Sequence, residues 1–201
     1  MSLQAPLVLE LATVDDIPAI TELWFTVFND PGMRHLMPDT PGVRQWMTEA
    51  NLNDMQQKPY QKYIKIVDPT TKDATGQPRL AAYAKWDLSM PDQRGPRFPP
   101  WHADQPSQDC NAFFGKLEDD RKRVMGDRKH YYLDMLGTHP DYRGRGAGSA
   151  LVQWGCDIAD REGDGAYVDA SKAGAPLYER HGFVDLSDPA TPGDTASMGR
   201  L

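Results

Sequence analysis

Residues 131–154 read YYLDMLGTHPDYRGRGAGSALVQW, a strand-like run that turns into a glycine-rich loop and then directly into an amphipathic helix. Few folds accommodate that succession. A strand that ends in glycines at a helix start asks for an α/β arrangement, with the helix packed back on the strand's own sheet. The predicted helix carries Ala147, Leu151, Trp154 and Ile158 at helical spacing, and this stripe is expected to face the sheet. Gly163 ends it, as glycine commonly does at a helix C-terminus.

The loop itself is Arg143-Gly144-Arg145-Gly146-Ala147-Gly148. Glycine tolerates positive φ and lets backbone come close to a ligand. The free N–H groups of a first helical turn then point outwards and favour an anion. A pyrophosphate suits such a cradle; a helix-capping turn with surplus glycine is the alternative. No Gly-Lys-Ser/Thr closes the loop, so a nucleoside-triphosphate P-loop is excluded. Its glycines alternate, which excludes the G-x-G-x-x-G dinucleotide fingerprint as well.

Downstream, Ala166-Tyr167-Val168 reads as a short strand and 174–180 as a short helix, and His181-Gly182-Phe183-Val184 turns into a further strand. Arg143, Gly146 and Gly148 match the pattern [Gln/Arg]-x-x-Gly-x-[Gly/Ala]. Tyr178, Gly182 and Phe183 match Tyr-x-x-x-Gly-Phe, about 30 residues further on. In that order and spacing, Tyr131 to Leu186 resembles the GNAT (Gcn5-related N-acetyltransferase) superfamily.

The resemblance implies an α/β fold of the α+β kind: a twisted mixed sheet, flanked by helices, whose central parallel strands splay to admit coenzyme A. It implies acetyl-coenzyme A as co-substrate. The pyrophosphate is expected on the backbone of Arg143, Gly144, Arg145, Gly146, Ala147 and Gly148, and the pantetheine along Leu136, Gly137 and Thr138. The side chains of Arg143 and Arg145 either add charge near the phosphates or stand in solvent. Ser171 occupies the place where many relatives carry a pantetheine-binding Asn. Tyr178 matches the tyrosine near the sulfur and is expected to protonate the leaving thiolate, packing against coenzyme A being the alternative. A backbone N–H near Leu136 would hold the oxyanion. By the same analogy Trp24, Phe28 and Asn29 line the acceptor pocket, joined by Phe98 and Trp101 if residues 87–108 fold over it. Trp24 also lies on an apolar helix face and could be ordinary core.

Asp134 is a carboxylate in an otherwise apolar strand, where burial is expected to raise its pKa. Strand alternation puts Tyr132, Asp134 and Leu136 on one face. A general base, an orienter of the amine and a structural acceptor are all open readings of Asp134. His130 and His139, at strand ends and expected to be exposed, are the runners-up as base.

Upstream, Val8–Leu11 reads as a strand. Thr13 caps a helix bearing Ile17, Ile20, Leu23, Trp24 and Val27 on one face, ended by Asn29-Asp30-Pro31-Gly32. A helix is predicted over 42–57, and strands over 63–67 and 80–86, the first broken at Asp68-Pro69. The 87–108 stretch is irregular and rich in Pro, Asp and Gln, a length usual for a functional or disordered loop. A helix over 111–125 follows it. The expectation is a single domain over 1–201 with 87–108 as an insertion, acting as a monomer or homodimer.

A net charge of −7 argues against nucleic acid as partner, which asks for a basic surface. The basic run Arg121-Lys122-Arg123 follows Glu118-Asp119-Asp120 and reads as a solvated helix face. Five scattered histidines and two cysteines, Cys110 and Cys156, suggest no metal site. Without a signal sequence or membrane-length apolar run, no membrane association is expected and a cytoplasmic location is. The expected activity is acetyl transfer from acetyl-coenzyme A to a primary amine of a small molecule. A protein lysine or N-terminal acetyltransferase and a non-catalytic coenzyme A sensor are the alternatives.

Overall fold

The computed structural model describes residues 6–190 and 193–201. In chain order the elements are β1 (Val8–Leu11), α1 (Ile17–Val27), α2 (Pro31–Leu36), α3 (Pro41–Gln57), β2 (Gln61–Lys72), β3 (Pro78–Asp87), α4 (Ser107–Met125), β4 (His130–Thr138), α5 (Ala147–Glu162), β5 (Gly165–Ser171), α6 (Ala175–Glu179), β6 (Val184–Asp185) and β7 (Thr195–Arg200). The strands form one mixed sheet in the order β1-β2-β3-β4-β5-β7-β6. Among the described residues, β4 and β5 are the one parallel pair.

One sheet face is covered by α5. Leu151, Val152, Cys156 and Ala159 are buried there with Trp86, Leu133 and Val168. Trp154 and Ile158, expected in the centre of this contact, are only half-buried at its margin. The reason is Trp86, a fully buried indole whose Nε1 donates to the Leu151 carbonyl at 3.2 Å. Its ring lies where a Cβ on Gly155 would be, so the helix meets the sheet along Leu151, Gly155 and Ala159. On the other face α1, α2 and α3 bury Ile17, Ile20, Trp24, Phe25, Met37, Val43 and Met47 with Tyr63 and Tyr83.

Three elements depart from the sequence expectation. The Asn29–Gly32 segment does end α1, but it also starts α2: the Asp30 side chain accepts from Met33 N at 3.0 Å and Pro31 takes the first helical turn. β2 continues past Asp68-Pro69 to Lys72, the missing proline N–H being absorbed by a register irregularity. β7 is not expected from the sequence, since Met198 and Ala196 are its only apolar residues, and it pairs with both β5 and β6.

Two irregularities shape the centre of the sheet. Pairing of β4 with β5 runs from His130↔Gly165 to Leu133↔Val168 and stops. Beyond it β4 stays with β3 as far as Thr138↔Ala82, while β5 stays with β7 as far as Ser171↔Thr195. The parallel strands therefore splay from Asp134 and Asp169 onwards. On the other side of β4, Lys85 pairs with Met135 and Trp86 with Leu133, which leaves Asp134 as the extra residue of a bulge. The bulge breaks the alternation. Leu133 and Leu136 both pack towards α5, whereas Met135 packs towards α1 and α3. Tyr132, Asp134 and Leu136 thus do not share a face.

Residues 88–106 fold back over β3 and β4, tied from beneath. Buried Arg94 contacts Asp87 at 3.4 Å, donates to the Ser89 carbonyl at 3.1 Å and bonds both Nε2 and the carbonyl of His130. Above, Phe98 and Trp101 join Trp46 and Phe114 in a ring cluster with centroids 4.9–5.8 Å apart.

Candidate active site

The splay opens into a cavity of about 660 Å³, bounded by Leu133, Asp134, Leu136, Asp169, Ser171 and Tyr178 on its sheet side. Trp24, Phe28, Met33, Phe98, Phe113 and Phe114 form its other wall. Because pairing with β5 has ended, the backbone edge of β4 from Asp134 to Thr138 has no strand beside it there. The Asp134 carbonyl on this stretch accepts from Arg97 Nη2 at 2.9 Å.

Next to that edge lies the glycine loop. Gly144 and Gly146 adopt φ of +75° and +84°, a region costly for any residue with a Cβ. Gly146 is the N-cap of α5 and supplies no side chain to bond the first-turn N–H groups. Those of Ala147, Gly148 and Ser149 precede the first intrahelical bond, from Ala150 N to the Gly146 carbonyl, and are free to meet an anion. Gly148 lies against Thr138 and Leu177, where a Cβ would sit 3.3 Å from Leu177 Cδ2. A narrow, donor-lined cradle of this kind fits a pyrophosphate. Arg143 is exposed beside it. Arg145 instead lies over the Tyr142 ring at 5.0 Å and stands 3.8 Å from Asp68, so its charge is directed away from the loop's donors.

Residues 90–183 match the model of the Acetyltransferase (GNAT) family. The match places a GNAT acetyltransferase domain at residues 90–183. Solved structures agree with it in fold. A protein titled histone acetyltransferase HPA2 and related acetyltransferase, from Corynebacterium glutamicum, is 22% identical, with 98% of this chain and 96% of that one covered at a TM-score of 0.59. A mosquito arylalkylamine N-acetyltransferase-like protein is 16% identical over 98% of this chain and all of its own, at a TM-score of 0.65. The PaiA N-acetyltransferase of Thermoplasma acidophilum, solved with coenzyme A, is 12% identical over 98% and 99% at a TM-score of 0.58.

In this GNAT domain Tyr178 is 7% exposed, stands on α6 against Phe183, and lines the cavity. Burial raises the pKa of its phenol well above the ordinary value, so it is protonated at neutral pH. Ser171 also lines the cavity, although its Oγ accepts from Gly174 N at 3.1 Å. Among the proposed acceptor residues, Trp24 and Phe28 reach the cavity, their rings stacked at 5.2 Å. Asn29 is exposed outside it, and Trp101 stays in the cluster behind Phe98, its Nε1 donating to Asn111.

Asp134 requires a correction. It is buried, as expected, yet its pKa falls rather than rises. Burial alone would push the carboxyl up, but the Arg97 guanidinium at 2.6 Å and the Lys85 ammonium at 3.0 Å outweigh it and hold the group at about 2. Lys85 is itself buried and also pairs with Asp54 at 2.6 Å. Such a carboxylate is anionic at every working pH and a poor proton acceptor. The histidines differ too. His130 is buried, its pKa lowered to about 4 by desolvation and by Arg94, and its Nδ1 donates to the Arg128 carbonyl. Half-buried His139 stands by Arg79 and Asp141, away from the cavity.

Sequence reasoning passed over Asp169. Half-buried on β5, it lines the same cavity; its Oδ2 accepts from the Tyr132 hydroxyl at 2.9 Å and its Oδ1 from that of Tyr167 at 2.8 Å. An acidic residue in a short apolar strand was the available signal. Among the described residues no group of three or more His, Cys, Asp or Glu could hold a metal ion, and no helix is long and apolar enough to cross a membrane.

Proposed function

We propose that this protein moves an acetyl group from acetyl-coenzyme A to a primary amine of a small molecule. The observation that carries the reading is the β4–β5 splay. It opens into one cavity with the donor-lined glycine loop nearby and Tyr178 in its wall. The backbone N–H groups of Ala147, Gly148 and Ser149 suit the pyrophosphate, with Arg143 adding charge at the rim. The free β4 edge at Leu136, Gly137 and Thr138 suits the pantetheine, and Ser171 faces it from β5. When bound, acetyl-coenzyme A supplies an acyl thioester.

The protein's own part is to orient, to stabilise charge and to move protons. A backbone N–H near Leu136 would stabilise the carbonyl oxygen as it gains charge. Tyr178, kept protonated by burial, is suited to give its proton to the departing sulfur. Residues 88–106 and α4 close over the far wall, which favours a small acceptor over a peptide laid across the surface. We read residues 1–201 as one domain with 87–108 inserted. The buried free thiols of Cys110 and Cys156 suit a reducing, cytoplasmic setting.

The test is thiol release from acetyl-coenzyme A with a panel of small amines, lysine peptides and N-terminal peptides. Turnover with a small amine is expected, and Tyr178→Phe should lower it about 100-fold while acetyl-coenzyme A affinity holds. Turnover confined to peptides would favour a protein acetyltransferase. Binding of acetyl-coenzyme A without turnover on any acceptor would favour a sensor.

A further inference from the structure

Two carboxylates stand where β4 and β5 part, and their surroundings differ. Asp134 is already paired with both Arg97 and Lys85. Among the described residues, the side-chain donors to Asp169 are the hydroxyls of Tyr132 and Tyr167. The cation acting most on it, Arg97, is already paired with Asp134. On β5, Ala166, Val168 and Ala170 are buried towards α5, so the alternation carries Tyr167, Asp169 and Ser171 to the opposite face, where Asp169 and Ser171 meet the cavity. Across from them the wall is apolar and largely aromatic, while Asp30 and Asp194 add negative charge to the lining.

From this arrangement we propose that Asp169 receives the ammonium of the acceptor and takes one of its protons, and that the acceptor carries its amine on an apolar body. The inference rests on the acetyltransferase reading above. In balance, one ammonium proton passes to the Asp169 carboxylate and leaves a neutral amine. The nitrogen lone pair then forms the C–N bond to the thioester carbonyl as the C–S bond breaks. The sulfur takes the Tyr178 proton, and the second proton lost by nitrogen restores Tyr178.

The environment of Asp169 suits that role. Burial raises its pKa, opposed by Arg97, by the Tyr167 and Tyr132 hydroxyls, and by Arg121 of α4. Asp30 at the start of α2, Asp134 of β4 and Asp194 beside β7 are the other acids at the cavity, and His35 of α2 and Arg97 line it as well. A carboxylate moved up towards neutrality is a better proton acceptor than one held at about 2.

The experiment uses the full chain saturated with coenzyme A, titrated calorimetrically with 2-phenylethylamine, spermidine and the uncharged 2-phenylethanol. Coenzyme A binding is measured first; its absence would remove the acetyltransferase reading and this inference with it. With coenzyme A bound, 2-phenylethylamine should bind more tightly than spermidine. Asp169→Asn should weaken 2-phenylethylamine about tenfold to a hundredfold and leave 2-phenylethanol unchanged. Between pH 4 and 8 the amine stays protonated, so its affinity follows the ionisation of Asp169. Tyr167→Phe removes a hydrogen bond to the carboxylate and should move the midpoint of that profile to higher pH. Equal affinity in Asp169→Asn, preference for spermidine, or an unmoved midpoint in Tyr167→Phe would each overturn the proposal without touching acetyl-coenzyme A binding.

Discussion

Replacing Asp134 by Asn removes one negative charge from a buried cluster and keeps the side chain's shape. In the native protein this carboxylate faces Arg97 at 2.6 Å and Lys85 at 3.0 Å, and Arg97 also holds the Asp134 carbonyl. Asp54 still compensates Lys85 in the variant, while Arg97 loses its only ion-pair partner among the described residues. Breaking a buried pair from one side costs about 3–5 kcal/mol. The compensated lysine places the expected loss at the lower end, about 3 kcal/mol. The pH dependence gives a second figure. A carboxyl held at about 2 instead of 3.8 contributes about 2–3 kcal/mol, at about 1.4 kcal/mol per pH unit. Because the folded pKa is depressed, that contribution is present in full above about pH 4 and is lost as pH falls through about 2. Urea unfolding followed by tryptophan fluorescence should therefore separate the two proteins by about 3 kcal/mol at pH 7, and the gap should narrow as pH falls from 4 towards 2. A loss under about 1 kcal/mol at pH 7, or a gap constant with pH, would refute the assignment of Asp134 to the buried ionic cluster.

Two further substitutions test the frame around the cavity. Gly155→Ala puts a methyl group into the ring of buried Trp86 and should cost about 1–3 kcal/mol in urea unfolding, since neither the helix nor the indole has room to yield; unchanged stability would contradict that contact. Gly146→Trp forces a bulky residue into φ of +84° at the mouth of the anion cradle, so calorimetry should show acetyl-coenzyme A binding abolished while circular dichroism stays native; retained binding would remove the cradle from the reading.

What could be read in the chain, and what could not, follows the range of the forces involved. The glycine loop, α5 and the Tyr178–Phe183 turn are local events, written in residues within a few positions of one another. The start of α2 was equally local: Asp30 followed by Pro31 is a capping residue and a first-turn proline, a start signal hidden inside what was also a stop. The state of Asp134 was not local. Lys85 comes from the next strand and Arg97 from the insertion, and only the folded sheet brings their charges to one carboxylate. The bulge belongs to the same class, because an extra residue shows only against the partner strand. Asp169 was open to the alternation argument made for Asp134, and its distinguishing partners, Tyr132 and Tyr167, were in view. What separated the two acids was the absence of a clamping cation, which lies in the packing.

The tethering of residues 88–106 bears on how such a domain acquires a new acceptor. Its aromatic upper side shapes the roof of the cavity, while Arg94 and Arg97 reach down to Asp87, His130 and Asp134 in the sheet. Moved alone onto another sheet of the same fold, the segment would bring two guanidiniums and leave their acceptors behind. Such loops are usually regarded as exchangeable modules. Here the roof and the floor of the cavity can only be exchanged together.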